Sequence, residues 1–474
     1  MLTNNHKKLL SVLFFAWLPH QSFSLDAQSL GRGLTGVSFN QSSTASLYNP
    51  ALISHEMNEN GLDIMLSNFS LTLSAKQETV DAFQDFDDND YFSEISDVLD
   101  DLNDLEDISL DDFNEKKANL TLNTNAVIDR LLQLDEKPVS VDLSNFIAIS
   151  FSNEVIGLSF FTGINSLKLE VLPDINECDL QVLNTYTQFI NNEIDADNRI
   201  MPNNAQGSFS CEGGDRTFNI ISDGEFSDPL DDTFNDGSPL LDSRFEALAV
   251  NIIETGLSIS HRFDFDEVQF SMGFSPKFLQ IQSLYVRHTV KDIEDDLIDL
   301  EESYENNRNK MQDFNLDLGI AIALPYNNLT FGLSGKNIIL NTYESEPFYE
   351  KYKADDGTIM ETAESYTKRF SIHPQWLAGF SYRWHGLTAA IDVDLTKRQP
   401  YFSGKDNQFI SMGLEYNAAN MLALRLGTRL DLLGETEEQF TTGLTLGNRN
   451  FHIDVGAQIS NELASLGFQL GFGF

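Results

Sequence analysis

The sequence has few of the residues that several functional classes require. It contains only two cysteines and eight histidines among 474 residues, and its 30 basic side chains face 73 acidic ones, so the formal net charge at pH 7 is −43. A surface this acidic does not suit nucleic acid, whose phosphates are contacted by Lys and Arg. The motifs Gly-x-Ser-x-Gly, His-Glu-x-x-His and Cys-x-x-Cys are absent. We therefore predict no enzyme, no metal site, no cofactor and no nucleic-acid partner.

Long apolar runs are also missing, except at the N-terminus. Lys7 and Lys8 precede the apolar run Leu9–Leu18, Pro19 follows it, and small residues occupy Ser22–Ser24. This order is typical of a secretory signal peptide, which we predict at residues 1–24. An uncleaved anchor is the alternative, but the apolar run is short for a membrane-spanning helix. An exported chain without a later apolar helix is periplasmic, extracellular or a β-barrel.

Apolar residues alternate strictly with polar or small ones over many short segments. The chain ends with "ASLGFQLGFGF", and "FHIDVGAQIS" and "LTAAIDVDL" have the same period of two, which indicates strands with one apolar face. Turn-forming residues separate these segments. Fourteen such strands are predicted to begin near Gly61, Val139, Val155, Ala249, Val268, Phe314, Leu329, Gln375, Leu387, Gln408, Met421, Gln439, Phe451 and Ala464.

The two faces of these strands favour a membrane barrel over a soluble sandwich. The apolar face is nearly free of charge over the last seven strands, as contact with lipid requires. The other face is rich in Gly, Ser and Thr with occasional charges, which suits a crowded, wet lumen. We predict an all-β membrane protein, an antiparallel transmembrane β-barrel of about fourteen strands over residues 61–474.

Long polar insertions interrupt the early strands. Residues 77–135 and 288–312 are acidic and have a helical period, so we predict helical insertions there. Residues 173–242 are rich in Asn, Asp and Gly and are predicted to form a loop with little core. Residues 343–368 are predicted to form a shorter polar loop. Barrels have short turns at one end and long loops at the other, so these insertions should lie together.

Cys178 and Cys211 both lie in the long loop at 173–242. An exported protein meets an oxidising compartment, so we predict that they form a disulfide that staples this loop.

Residues 25–60 precede the first strand and are rich in Gly and Ser. The segment has no period and could be a disordered tail, but "YNPAL" is a turn signal and three glycines allow close packing against a wall. Fourteen strands leave a lumen wide enough to hold a plug. We predict a short folded plug at residues 25–60.

Charged residues on the polar strand faces are predicted to line the lumen as a network rather than to form a catalytic cluster. They are Asp392, Asp394, Arg425, Arg429 and Asp454.

The order of these motifs resembles a known group of proteins. A Gly-rich start, Asn49-Pro50-Ala51, fourteen strands and a terminal Phe resemble the FadL-like outer-membrane β-barrels. A closer resemblance is to a proteobacterial branch labelled conjugal transfer protein TraF, through "LGRGLTGVSFN", "LTFGLSGKNII", "AIDVDLTKRQPY" and "LGFQLGFGF". The resemblance implies the outer membrane of a Gram-negative bacterium and a plug that includes the Asn-Pro-Ala motif.

Related barrels are recognised for assembly through a last strand that ends in an aromatic residue. By this resemblance Phe474, Phe472 and Leu470 are predicted to form the assembly signal, with the barrel-assembly machinery and outer-membrane lipid as partners.

Two functions remain open from the sequence. The first, implied by the FadL-like resemblance, is a passive channel for hydrophobic small molecules. The second is a structural or interaction protein of the cell surface, associated with conjugal transfer, whose partners are other transfer or cell-surface proteins. A bulge that interrupts the wall would favour the first. In "LDIMLSNFSLTL" the apolar positions change phase between Leu66 and Phe69, which predicts such a bulge.

Overall fold

A computed structural model gives the fold. It describes residues 26–55, 61–89, 91–103, 110–153, 155–193, 204–211, 214–222, 225–227, 234, 240–289, 309–324, 328–353, 359–402, 405–419, 421–448 and 450–474. The predicted signal peptide at residues 1–24 lies outside the described residues. Among the helices of the described ranges, none has the length and apolar character needed to cross a membrane.

The described elements are mostly strands. The strands in chain order are β1 (Gly61–Ser74), β2 (Val139–Ser152), β3 (Ile156–Asp174), β4 (Ala205–Cys211), β5 (Gly214–Ser222), β6 (Glu225–Phe226), β7 (Arg244–Asp264), β8 (Gln269–Thr289), β9 (Asn309–Leu324), β10 (Leu329–Lys336), β11 (Asn341–Glu344), β12 (Phe348–Lys353), β13 (Ile359–Tyr366), β14 (Arg369–Ile372), β15 (Gln375–Trp384), β16 (Leu387–Asp394), β17 (Phe409–Ala419), β18 (Leu422–Asp431), β19 (Gln439–Asn448), β20 (Phe451–Ile459) and β21 (Leu463–Gly473). The helices are α1 (Ala27–Gly31), α2 (Ser42–Tyr48), a 3-10 helix at Pro50–Ser54, α3 (Gln77–Asp88), α4 (Tyr91–Asn103), α5 (Leu110–Leu134) and α6 (Glu177–Glu193).

Fourteen of the strands form a closed antiparallel barrel in the order β1-β2-β3-β7-β8-β9-β10-β15-β16-β17-β18-β19-β20-β21, and β21 pairs with β1. The predicted fourteen-stranded barrel is confirmed. Twelve of the predicted strand starts agree with the structure to within one residue. The other two, β7 and β9, begin five residues earlier than predicted, at Arg244 and Asn309. Their extra residues, 244–248 and 309–313, continue the ladder with β8 but mix charged and apolar side chains without a clear apolar face, so the prediction missed them.

The alternation separates an apolar outer face from an inner face of small and polar groups. In β21, Ser465, Gly467 and Gln469 are buried inside, whereas the outward Leu466 and Phe468 are exposed. Outward apolar residues on many strands have the same exposure, which is the arrangement of a transmembrane barrel in contact with lipid.

The predicted phase change in β1 is a β-bulge. The β1–β2 register shifts between Met65 and Asn68, and the β1–β21 register shifts between Met65 and Ser67. A second shift in β3, between Ile164 and Ser166, leaves Asn165 without a residue opposite it in β7. The wall is therefore irregular over the neighbouring strands β1, β2 and β3.

Short turns and the start of β1 lie at one end of the barrel, and the long insertions lie at the other. The helical insertion predicted at 77–135 contains α3, α4 and α5, and the apolar face of α4, with Ile95, Leu99 and Leu102, is buried. The helix predicted at 288–312 is wrong at its ends, because residues 288–289 belong to β8 and residues 309–312 to β9. Residues 290–308 lie outside the described residues.

The prediction of a loop with little core at 173–242 is wrong. Helix α6 and strands β4–β6 share one core with α4 and α5, and we call the described parts of α3–α6 and β4–β6 the cap. Phe218 is fully buried at the centre of this core, against Tyr186 and Phe234. The many Asn, Asp and Gly residues between these aromatics hide the period of short strands. The predicted disulfide Cys178–Cys211 is present and joins α6 to β4.

The polar loop predicted at 343–368 also has more structure than expected. It contains the pairing of β12 with β13, and the pairing of β11 with β14 closes its base. Tyr343, Phe348 and Phe370 pack there against the extended ends of β7 and β8, which supply the apolar partners that the loop alone lacks.

Candidate functional site: the plug and the lumen

Residues 26–55 lie inside the barrel and nearly all of them are buried, and we call this segment the plug. Residues 25 and 56–60 of the predicted segment lie outside the described residues. Helix α1 begins after Asp26, whose carboxylate accepts hydrogen bonds from the backbone N–H groups of Gln28 and Ser29. Such an N-cap stabilises a short helix end. The described plug ends at His55, one residue after the 3-10 helix Pro50–Ser54.

The motif Asn49-Pro50-Ala51 begins the 3-10 helix. The side chain of Asn49 accepts a hydrogen bond from Ala51 N, and its Nδ2 donates to the carbonyl oxygen of Val37 at 2.8 Å and to that of Ile320 at 3.0 Å. Pro50 occupies the first turn, where its missing N–H is not needed. The fully buried Asn49 thus joins two parts of the plug to strand β9.

Glycines on the inner wall allow the plug backbone to touch the wall backbone. Gly273 of β8 faces the backbone of Pro50, and Gly443 of β19 faces Gly31. A Cβ atom added to Gly443 would lie 2.9 Å from the Cα of Gly31, closer than side chains tolerate. We call this set of residues the glycine belt: Gly273, Gly319, Gly332, Gly379, Gly413, Gly427, Gly443 and Gly456.

A buried ion network ties α1 to strands β17, β18 and β20. Arg32 Nη1 donates to Glu415 Oε2 at 2.9 Å, and Arg425 Nε donates to the same oxygen at 2.7 Å. Arg425 Nη1 lies 3.5 Å from Asp454 Oδ1, and Gln28 Nε2 donates to Asp454 Oδ2 at 3.1 Å. Because both carboxylates are paired and hydrogen-bonded, their charges are tolerated inside the barrel.

The other three predicted lumen charges lie elsewhere. Asp392 Oδ2 accepts hydrogen bonds from the backbone N–H groups of Gly36 and Val37, at 2.6 and 2.9 Å, so it binds the plug backbone directly. Asp394 pairs with Arg398 at 2.6 Å. The Arg429 guanidinium lies 3.5 Å from the centre of the Phe409 ring, which is a cation–π contact.

A second ion cluster was missed from the sequence. Lys277 lies 3.0 Å from Glu254 and 3.1 Å from Asp317, and Lys336 pairs with Asp317 at 2.5 Å. Lys336 Nζ also donates to the Ser46 carbonyl oxygen of the plug at 3.3 Å. These residues sit on inward faces of β7, β8, β9 and β10, and their alternation with apolar residues was the signal that could have found them.

An open pocket lies between the plug and this cluster. Its empty volume is about 690 Å³ and includes space continuous with solvent. We call it the lumen pocket. Its apolar lining is Leu34, Val37, Leu47, Phe146, Phe161 and Leu377, and its polar lining includes Asn165, Glu254, Lys336 and Arg398. Phe146 and Phe161 stack with their ring centres 5.5 Å apart.

Within the described part of the chain, no three His, Cys, Asp or Glu side chains are grouped closely enough to hold a metal ion. The disulfide accounts for both cysteines. The lumen therefore offers ion pairs, hydrogen-bonding groups and an aromatic wall as its chemical features.

Comparison with known proteins assigns the family. A family model described as "F plasmid transfer operon, TraF, protein" matches residues 46–394. The chain belongs to this TraF family. The match runs from the plug to the end of β16 in this TraF-family protein and includes the cap and the second ion cluster. The TraF resemblance predicted from the sequence is confirmed.

Solved structures also match this TraF-family chain, at low identity. The toluene transporter TbuX of Ralstonia pickettii is 8% identical, with 95% of this chain and 98% of that chain covered and a TM-score of 0.44. The toluene transporter TodX of Pseudomonas putida is 10% identical, with 96% and 98% covered and a TM-score of 0.44. A Pseudomonas aeruginosa FadL homologue is 8% identical, with 96% and 98% covered and a TM-score of 0.41. No curated protein sequence matches.

Proposed function

We propose that this protein is an outer-membrane channel that admits hydrophobic small molecules passively. The observation that carries the proposal is the position of the lumen pocket. Its aromatic wall, Phe146 and Phe161, belongs to β2 and β3, where the β-sheet register is interrupted. An apolar surface at an irregular part of the wall can accept an apolar solute that enters through the side of the barrel.

The charges of the lumen support the same function. Arg32, Glu415, Arg425 and Asp454 are tied to one another around the plug, and Lys277, Glu254 and Asp317 fill the opposite side. Fixed charges that already have partners do not attract an apolar solute, so they leave the aromatic side of the pocket as its preferred surface. This function needs no catalytic group and no cofactor.

The bulge residue Asn165 provides a direct test. Deleting Asn165 would make the β3 ladders with β2 and β7 continuous, because Ser166 would then follow Ile164 directly and lie opposite both Ser144 and Ile252. The substitution Asn165→Ala removes the side chain and keeps the bulge, so it is the matched control. The measurement is uptake of radiolabelled toluene by cells that express each form, compared with cells that lack the protein.

We expect wild type and Asn165→Ala to raise toluene uptake and the deletion to return it to the level of cells without the protein. Equal uptake with and without the wild-type protein would contradict the channel. Undiminished uptake by a correctly inserted deletion variant would show that the bulge is not part of the route.

A second function is favoured by the cap. It has its own apolar core and a disulfide. Its basic residues Lys116 and Arg130 form salt bridges with Asp101 and Asp85. A folded, acidic domain of this kind suits contact with another cell-surface protein, and the family description suggests transfer of DNA between cells. The test is conjugation frequency after removal of the cap. A fall in frequency with normal toluene uptake would support a role in transfer, and an unchanged frequency would argue against it.

A further inference from the structure

Two buried carboxamides lie side by side on the inner wall without protein partners. Asn68 of β1 and Gln469 of β21 are opposite each other in the strand register, and both are fully buried. Neither the nitrogen nor the oxygen of either side chain has a hydrogen-bond partner in the protein. Four buried polar atoms without partners are costly, because each has given up its hydrogen bonds to water.

The neighbouring polar residues of the same two strands behave differently. Ser70 and Ser144 are hydrogen-bonded at 2.6 Å, and Thr72 and Ser465 at 2.8 Å. Asp454, which is opposite Gln469 in β20, is already bound by Gln28 and Arg425. On β1 and β21, the buried side-chain atoms without a hydrogen-bond partner are therefore those of Asn68 and Gln469, next to the bulge in β1.

The pair lies one strand away from the aromatic lining of the lumen pocket. On its other side Asn68 is opposite Phe146 in the β1–β2 register, and Phe146 stacks on Phe161 in the pocket wall. The inner wall thus presents an aromatic surface followed directly by two carboxamides. Because a carboxamide has no net charge and both donates and accepts, its best partner is a neutral group that does the same.

We propose that Asn68 and Gln469 form a hydrogen-bonding subsite that holds the neutral polar substituent, a hydroxyl or a carboxamide, of an aromatic permeant whose ring lies on Phe146 and Phe161. The inference rests on the proposed channel function and adds a preference among its solutes. An aromatic alcohol would satisfy the buried amides, whereas the corresponding hydrocarbon would leave them unpaired. A site with buried polar groups discriminates strongly against the analogue that lacks the matching group.

Binding to the purified full-length protein in lipid nanodiscs tests the subsite. The probes are 4-fluorobenzyl alcohol and 4-fluorotoluene, followed by ¹⁹F NMR and corrected for partition into nanodiscs without the protein. We expect the wild-type protein to bind the alcohol about tenfold more tightly than the hydrocarbon, the effect of a satisfied buried hydrogen bond. In the double variant Asn68→Leu/Gln469→Leu, the two affinities should become equal.

The matched control is Thr72→Val/Ser465→Ala, which removes a hydrogen-bonded pair from the same two strands. It should keep the tenfold preference. Heat-modifiable migration on a gel verifies that each variant is a folded barrel, and the single variant Asn68→Ser replaces the double variant if the latter does not fold. Asn68→Ser should reduce the preference for the alcohol without abolishing binding.

Equal binding of both probes by the wild-type protein would overturn the subsite. A preference that survives in the folded double variant would overturn it as well, because the preference would then not depend on the amides. The uptake assay with toluene separates this result from failure of the channel. A preference in nanodiscs without uptake by cells would retain the subsite and refute the channel function.

Discussion

Arg32 of the plug and Glu415 of β17 form a buried ion pair at 2.9 Å, although 383 positions separate them in the chain. Glu415 also accepts from Arg425, so the plug is attached to a group that is already fixed in the wall. The pair therefore attaches the plug to strands β17 and β18 of the wall.

The substitution Arg32→Ala should loosen the plug. It removes one partner of a buried pair, a loss of about 3 kcal/mol, while Glu415 keeps its second pair with Arg425. We expect faster proteolysis within residues 26–55 and a larger ion conductance in planar bilayers. Arg369→Ala, which breaks an exposed pair with Glu344, is the control and should change neither. A plug as resistant in Arg32→Ala as in wild type would contradict this anchor.

The substitution Gly443→Val should displace α1. Its side chain would meet the backbone of Gly31, which has no flexible end that could move aside. We expect a fraction of the protein to insert with a protease-sensitive plug, and a lower temperature of the heat-modifiable transition. Ala464→Val places the same isopropyl side chain on the outward face of β21 and serves as the control. If both variants melt like wild type, close contact at the glycine belt is not required.

The disulfide should stabilise the cap and not the barrel. Cys178 and Cys211 are separated by 33 positions, and closing a loop of this size is worth about 3–4 kcal/mol in the unfolded chain. In Cys178→Ser/Cys211→Ser we expect faster proteolysis of the cap with an unchanged heat-modifiable barrel. Thiol labelling of native, unreduced wild type should find no free cysteine. Labelling of both residues would contradict the bridge.

The stability of the cap should fall as the pH rises from about 4 to 7. Burial raises the pKa of Asp179 to about 6, although its carboxylate accepts hydrogen bonds from the backbone of Asp242 and Ser243. Because the pKa of Asp179 is higher in the folded cap than in the unfolded chain, its protonated form stabilises the cap at pH values below the unfolded pKa. This stability is lost as the pH rises through about 6. The loss is up to about 3 kcal/mol.

The substitution Asp179→Asn keeps an acceptor and removes the charge, so it should flatten this part of the pH profile of cap unfolding, measured by protease resistance. Asp97→Asn on the exposed face of α4 should leave the profile as in wild type. An identical slope in Asp179→Asn and wild type would assign the pH dependence to other groups.

Removing Phe474 should impair insertion. Its backbone N–H donates to Leu62 O at 2.8 Å and its carbonyl oxygen accepts from Leu62 N at 3.2 Å, so the barrel is closed up to the last residue. Its side chain, 69% exposed, faces outward with Phe472 and Leu470. In lipid each unpaired backbone group costs several kcal/mol. We expect much less heat-modifiable protein after the deletion and normal amounts for Phe474→Tyr. Equal yields of the deletion and wild type would argue against an assembly signal at this end.

The barrel was predictable because lipid requires an apolar residue at every second position on one face, and this requirement is visible within each strand. The N-terminal ends of β7 and β9 were not predictable, because residues outside the lipid-facing band of the barrel do not need to alternate. The cap was missed because Tyr186, Phe218 and Phe234 come from a helix, a strand and an isolated bridge with no common period.

The lumen was predictable only as a list of charges. The sequence identified Arg425 and Asp454 on polar faces, and the structure brings them together, but Arg32 and Glu415 complete the network through contacts across the whole chain. Asp392 was predicted as part of a charge network and instead binds backbone N–H groups of the plug. Such pairings depend on which strands face each other around the plug, and the sequence of an individual strand does not show this.

At the glycine belt, the plug backbone fills the space directly beside the barrel wall. Where Gly332 and Gly379 face Val37, the wall is main chain whose hydrogen bonds are already used by neighbouring strands. If residues 26–55 were to leave as a unit, these stretches of main chain would be uncovered, and beside them Asp392 and Glu415 would lose the plug groups that now bind them. A solute that followed the proposed route would therefore pass beside the plug, on the side where the strands β1, β2 and β3 are out of register.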